Sequence, residues 1–313
     1  MVGHDDPRPF IHRPVMVDEV VALIADIPPG ELVDATLGGA GHTMAILDAR
    51  PDLRVIGLDR DDVALAAARA ALAPYGERAR IVRSRFDRVG SVLAELGVER
   101  LSGFLFDLGV SSPQLDDPER GFSFRADGPL DMRMDREQPT TADDIVNTYT
   151  SVELTRILRS GGDERFANRI AEAIVAARPV EGTARLAEIV VSAIPARARR
   201  TGGHPARRTF QAIRIEVNAE LDVIAPALEA ALDALVVGGR GIVLTYHSGE
   251  DRIVKDVFRN RTRSEDPPGL PVPVHPALFA MGRPPARKAS EAEQQQNSRA
   301  TSARLRSIER LAA

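Results

Sequence analysis

Over the first hundred residues, short apolar runs alternate with segments of helical periodicity. Met16 to Ala25 reads as a helix, Leu32 to Ala35 as a strand, Thr43 to Ala49 as a helix and Val55 to Leu58 as a strand. Asp61 to Leu72 then reads as an Ala-rich helix, Arg80 to Val82 as a strand, Val89 to Leu96 as a helix and Gly103 to Asp107 as a strand. Consecutive strands separated by helices cannot close as hairpins, so they must lie parallel, with crossover helices covering both faces. The expected fold class is α/β.

The alternation then stops. From about residue 125 to 210 only helical patterns appear, at Ala142 to Asn147, Ser151 to Leu158, Glu164 to Ala177 and Thr183 to Ile194. Such a block is expected to form an inserted helical domain, which divides the chain into 1–124, 125–210 and 211–313. Thr209 to Leu235 reads as a long helical region interrupted by Pro226, and Gly241 to Thr245 resumes the parallel sheet. Pro267 to Pro285 is proline-rich and expected to be a mobile loop, while Ser302 to Leu311 reads as a final strand.

Composition excludes several chemistries. With no cysteine, the chain has no disulfide, no thiolate zinc site and no thiol nucleophile. Methylation through carbon 5 of cytosine normally needs such a thiol as covalent nucleophile, and cytidine deaminases hold zinc with cysteines. The six histidines are scattered without metal-ligand spacing, so no metal is expected. No apolar run approaches the roughly 20 residues a bilayer requires, and Met1 to Phe10 has no apolar signal core, so a cytoplasmic location without a membrane partner is expected.

The net charge of −4 hides an uneven distribution. Arg197, Arg199, Arg200, Arg207 and Arg208 fall in a stretch free of acids that also contains Gly202 and Gly203. It reads either as a solvated linker or as a loop that contacts nucleic-acid phosphates.

Three strand ends carry candidate chemistry. Val33-Asp-Ala-Thr-Leu-Gly-Gly-Ala-Gly-His42 follows the first strand and opens a helix, where glycines let a ligand approach the backbone. The dinucleotide fingerprint is absent, because Met44 stands where its third glycine would fall. Asp59 ends the second strand and suits a ribose with free hydroxyls, although it could equally cap the next helix. Together they point to a nucleoside-bearing cofactor. His42 reads as a ligand contact or an ordinary helix-start residue.

Asp107 ends the fourth strand and opens a long stretch, to Met134, of acids, arginines, serines and prolines with neither helical nor strand period. The crevice beyond strand carboxyl ends is where open α/β sheets bind ligands. Ser111 and Ser112 are either turn and cap residues or, with Asp107, acceptors that aim an amine nitrogen at an electrophilic carbon. His247-Ser248 is not a nucleophile elbow, because Tyr246 stands where that motif needs glycine.

The chain resembles the RsmH (MraW) family of 16S rRNA cytosine-N4 methyltransferases. The resemblance runs from about His12 to Glu309 and rests on His12-Arg-Pro-Val15, Asp34 to His42, Gly57-Leu-Asp-Arg-Asp61, the segment Asp107 to Asp135, Thr209 to Asn218, and Glu250-Asp-Arg-Ile-Val-Lys255. It implies a class I, Rossmann-like methyltransferase sheet with an all-helical substrate-recognition insert. It further implies that Ala40, Gly41, His42, Asp59, Phe86, Asp107 and Gln114 contact S-adenosylmethionine. The implied target is the N4 amine of a decoding-centre cytidine, position 1402 of 16S rRNA in the small ribosomal subunit, with no DNA partner. Three residues depart from the family pattern: Ala40 for a common glycine, Gly249 for a usual leucine and Ser298 for a usual proline. A nicotinamide-dependent oxidoreductase and a non-catalytic ribosome-assembly factor are the competing readings. The first lacks the full glycine fingerprint, and tight cofactor binding without turnover would support the second.

Overall fold

The computed structural model describes residues 14–200, 203–264 and 277–311. Eight strands form one sheet: β1 (Gly30–Asp34), β2 (Leu53–Asp59), β3 (Ala79–Arg83), β4 (Leu101–Asp107), β5 (Leu235–Thr245), β6 (Phe279–Met281), β7 (Arg287–Lys288) and β8 (Arg304–Arg310). Their order is β3-β2-β1-β4-β5-β8-β6, with β7 pairing on β8. The first five run parallel, and β8 is antiparallel to β5, β6 and β7. This is an open, doubly wound, Rossmann-like sheet with β8 reversed. The connection direction reverses beside β1, so the crevice lies beyond the carboxyl ends of β1 and β4.

The helices of the first half are α1 (Val17–Ile24), α2 (Gly41–Ala49), α3 (Asp62–Leu72), α4 (Val89–Glu95) and the short α5 (Ser112–Asp116). Next come α6 (Ala142–Thr148), α7 (Ser151–Gly162), α8 (Ala167–Ala176), α9 (Gly182–Ala193) and α10 (Arg207–Asn218). The last three are α11 (Ile224–Ala234), α12 (Ser248–Arg261) and α13 (Glu291–Gln296).

Alternation along each strand sends neighbouring residues to opposite faces. Val33, Ile56, Phe104, Phe106 and Val243 pack with α4, α11 and α12 on one face. Leu32, Val55, Leu105, Ile242 and Leu244 pack with α1, α2 and α3 on the other. Six of the seven β4 residues are buried, as a central parallel strand covered on both faces requires. Gly241 pairs with Phe104, and a Cβ there would lie 2.1 Å from the Phe104 ring. A fully buried phenylalanine contributes roughly 1.5–3 kcal/mol, and only a glycine opposite leaves it that space.

The helical block has its own core, running from Phe122 to Val217 and built on Ile145, Leu154, Ile157, Ile170, Leu186 and Ile213. Capping boxes at Thr141 with Asp144 and at Thr150 with Glu153 start α6 and α7 where the periodicity begins. α10 lies within this core and extends past residue 210.

Several expected elements differ from those found. The region from Thr209 to Leu235 is two helices, α10 and α11, and the break is not at Pro226. The chain turns at Ala219, in left-handed conformation with φ 50°, and Pro226 sits in the first turn of α11, where it breaks no helical hydrogen bond. α8 starts at Ala167 rather than Glu164, because the Glu164 carboxylate accepts from the Phe166 amide and shapes a turn. The proline-rich stretch from 267 to 285 falls partly outside the described residues, and its described end contains β6.

Candidate active site at the carboxyl ends of β1, β2 and β4

The turn after β1 is fixed by two carboxylates. Buried Asp34 accepts from the Thr43 hydroxyl at 2.7 Å and the Thr36 amide at 3.2 Å, which ties the strand end to α2. Asp59 accepts from the Gly38 amide at 2.8 Å and the Asp61 amide at 2.9 Å, so it clamps the turn from β2. Burial raises both carboxyls above their ordinary range, against the hydrogen bonds that lower them. Ala40 is buried with φ 66°, in the left-handed region that favours glycine. A Cβ on Gly39 would meet no atom within 4 Å, so the turn presents bare backbone to open space. Gly41 packs under Pro14 at the start of α2.

Asp107 lies across this opening, its side chain one-quarter exposed. Its Oδ1 accepts from the Tyr246 hydroxyl at 2.6 Å, and its backbone amide donates to Thr36 Oγ1 at 2.6 Å. His42 donates from Nε2 to the Val15 carbonyl at 2.9 Å, because a carbonyl only accepts, and turns Nδ1 toward Asp107 Oδ2 at 3.7 Å. Burial raises the Asp107 carboxyl; His42 and the Tyr246 hydrogen bond pull it down, and the Glu250 charge adds to the rise. Burial, with the Asp107 charge, pushes the Tyr246 phenol well above its ordinary value. Phe86, half-buried, packs edge-on to Phe106 at 5.7 Å beside the β2 and β4 ends.

Thus Asp59 is joined to the turn at Gly38, His42 faces Asp107, and Ala40, Gly41 and Phe86 adjoin the same strand ends, while Gln114 and Ser111 are tied within the loop. Gln114 is buried, its Oε1 accepting from the Ser111 amide at 3.0 Å and its Nε2 donating to Asp61 at 2.8 Å. Both ends of that amide are engaged within the protein and tie the start of the loop to Asp61. Ser111 is the N-cap of α5, the turn-and-cap alternative, and the Ser112 side chain lies outside the described residues.

Three residues absent from the sequence-based site hold this loop. Arg120 is buried, donates to Asp61 Oδ2 at 2.8 Å and to the carbonyls of Arg133 and Met134, and packs against the Phe122 ring. Burial alone would raise Asp61, but the Arg120 and Gln114 hydrogen bonds hold it below the ordinary carboxylate range. Asn218 donates to the Met132 carbonyl at 2.7 Å and accepts from the Met134 amide at 2.9 Å, pinning the loop to the end of α10. Asp61 and Asn218 fall inside quoted motifs, but nothing local identifies their partners, 59 and 86 positions away.

The arginine cluster lies beside the loop. His204 stacks on Phe124 with centroids 4.3 Å apart, and Phe124 meets Phe210 of α10 edge-on. Arg199 donates to the carbonyls of Ile194 and Ser192 and closes the end of α9, and Arg208 donates to the Asp163 carbonyl. Arg197 and Arg207 are exposed with no carboxylate in ion-pair reach among the described residues, and the Arg200 side chain lies outside them. Two of the five expected phosphate contacts therefore also brace their own chain.

The MraW methylase family matches residues 9–311. A ribosomal RNA small subunit methyltransferase H from Thermobifida fusca is 54% identical over 308 residues, covering 96% of this chain and 93% of that protein. The protein of the same name from Mycolicibacterium smegmatis is 53% identical, covering 96% and 84%. A solved rRNA methylase from Streptococcus thermophilus has 14% identity and a TM-score of 0.44, covering 97% of this chain and 100% of that one. Matched from the glycine turn through the Asp107 loop to the last strand, the chain belongs to the MraW methylase family.

Proposed function

We propose that this chain methylates the exocyclic N4 amine of a decoding-centre cytidine, position 1402 of 16S rRNA, in the small ribosomal subunit in the cytoplasm, with S-adenosylmethionine as donor. The observation that carries the reading is Asp107. It is a partly exposed carboxylate at a strand end, more basic than usual through burial, facing a glycine turn clamped by a second strand-end acid.

The residues present fit the cofactor. Bare backbone at Gly39 with the adjoining turn gives close approach, and Asp59 keeps lone pairs free for ribose hydroxyls beyond those its two amide contacts use. Phe86 supplies an aromatic surface for a purine. When bound, S-adenosylmethionine supplies an electrophilic sulfonium methyl group.

The protein contributes orientation and a proton acceptor. The cytosine N4 lone pair is delocalised into the ring, so the nitrogen attacks poorly unless it is held in line. An N–H donated to the Asp107 carboxylate fixes that direction, and alignment of this kind supplies up to about 7–11 kcal/mol. Once the new N–C bond forms, the nitrogen carries a surplus proton, which passes to Asp107. With no cysteine in the chain, transfer is direct. The helical block around residues 125–210 and the arginine cluster bind the RNA by its phosphates.

Nucleoside mass spectrometry tests this on small subunits lacking the modification, incubated with protein and S-adenosylmethionine. N4-methylcytidine at the decoding-centre position is expected. Cofactor binding with no methylated nucleoside would reject the activity in favour of an assembly role.

A further inference from the structure

The two lysines of this chain, among 41 basic residues, line one cleft that the reading above leaves unused. Its volume is about 490 Å³, between the end of β5, the first turns of α12 and the β7–β8 connection. Lys255 and Arg252 enter from α12, Lys288 from β7 and Arg304 from β8, all exposed, with Thr301 and Ser302 hydroxyls at the rim.

The cleft holds four cationic side chains against one carboxylate, and that carboxylate is already taken. Asp251 is held by buried Arg306, through Nε at 2.8 Å and Nη2 at 3.0 Å, and also accepts from Arg304 at 3.4 Å, so Arg304 is already paired. Among the described residues, no carboxylate lies within ion-pair distance of Arg252, Lys255 or Lys288. Uncompensated cations gathered in a concave polar site are the arrangement that captures phosphate, with lysine acting as an adaptable point charge.

Position gives the cleft its meaning. Tyr246 forms part of its wall and donates its hydroxyl to Asp107, so the cleft opens one side chain from the reacting end. Ser248, on the same wall, donates to Asp163 at 2.9 Å, and the Asp163 carbonyl accepts from Arg208. Ser248 and Asp163 therefore place the wall of the cleft next to Arg208 of the arginine cluster.

We propose that this cleft binds a backbone phosphate of the RNA strand, next to the nucleotide presented to Asp107. The proposal rests on the RNA-methylating reading above. It gives the substrate a second phosphate contact beside the arginine cluster, on the Tyr246 side of Asp107, so that the strand is held close to the reacting end.

The test is Lys255→Gln combined with Lys288→Gln, assayed on small subunits lacking the modification. Filter binding at a series of salt concentrations accompanies the kinetics. The expected result is a KM for subunits raised about tenfold, kcat changed less than about twofold, and a log–log salt dependence shallower by roughly one. S-adenosylmethionine affinity and melting temperature should match the unmodified protein, which shows that the fold is intact. Lys255→Arg with Lys288→Arg should restore binding, and Arg252→Gln should reproduce a smaller part of the loss. Unchanged KM and salt slope in the Gln variants would overturn the proposal. So would tight binding of inorganic phosphate that depends on the lysines while subunit affinity does not, because the cleft would then serve a free anion. Filter binding reads the cleft even if no methylated nucleoside forms, so failure of the activity and failure of the cleft remain separate results.

Discussion

The turn after β1 and the loop from Asp107 to Asp135 meet at one opening but are held by opposite electrostatics. On the turn side, burial raises Asp34, Asp59 and Asp107, each against hydrogen bonds or charges that only partly offset it. On the loop side, Asp61 is held down because Arg120 and Gln114 more than offset its burial. A carboxyl whose folded pKa is raised contributes stability below its unfolded pKa and loses it as pH rises through the folded value. Asp61 does the reverse: its contribution is present above the unfolded pKa and is lost as pH falls through the folded one. At neutral pH the reactive edge is therefore under strain, and the loop anchor supplies stability. Charge is left partly unsatisfied where a ligand has to bind and is fully satisfied one layer behind.

The comparison breaks most visibly at Asp107. If this carboxylate orients the amine and takes its proton, Asp107→Ala should lower kcat on small subunits by about 10³-fold or more. The same variant should lose a buried charge and melt no lower than the unmodified protein. Near-normal turnover would remove Asp107 from the chemistry and leave it a structural partner of Tyr246.

Arg120 tests the other side. Arg120→Met removes one member of a buried ion pair and leaves Asp61 uncompensated, so unfolding free energy measured in denaturant should fall by about 3–5 kcal/mol. Its loss should grow from acid toward neutral pH as the stranded Asp61 ionises. A loss of less than about 1 kcal/mol at neutral pH would mean that the loop is held by packing and Asn218 rather than by the ion pair.

The two regions also differ in how far the sequence discloses them. The turn was legible because its determinants are local: glycines at the strand end, an acid ending the next strand, and a helix opening after Gly41. The parallel sheet was legible for the same reason, since short apolar runs such as Phe104 to Phe106 alternate with helical periods. The loop was visible only as an aperiodic polar stretch. Its anchors join residues far apart in the chain, so Arg120 gave no sign of its place beneath Asp61, and nothing local shows that the Gln114 amide reaches Asp61, 53 positions away. Tyr246 was noted only as the residue that spoils a nucleophile elbow. Its hydroxyl reaches Asp107 across 139 positions, through the pairing of β4 with β5. β6 and β7, three and two residues long, carry too little pattern to detect and exist because β8 offers them an edge.

Tyr246→Phe sharpens the contrast with a smaller effect. Its hydrogen bond stabilises the ionised Asp107, so removing it raises that carboxyl further, and the acid limb of the pH–rate profile should move to higher pH. A hydrogen bond to a charged group contributes about 1.5–3 kcal/mol, which corresponds to a fall in kcat of roughly 10- to 100-fold at the pH where the unmodified enzyme is fully active. An unmoved acid limb would show that Asp107 titration does not limit the rate.

The smallest expected effect is at Ala40, an L-residue held in left-handed conformation in the turn. Holding an L-residue at φ 66° costs roughly 1–2 kcal/mol, so Ala40→Gly relieves strain. The same change exposes no new polar group but loses a buried methyl contributing about 0.8 kcal/mol, and it adds about 0.4–1 kcal/mol of unfolded-chain entropy. These contributions nearly cancel. Stability should change by less than about 1 kcal/mol, and cofactor affinity should stay within a few-fold, because Asp59 fixes the Gly38 amide whichever residue stands at 40. A large gain in affinity would instead show that the alanine methyl keeps the turn from its best approach to the ligand.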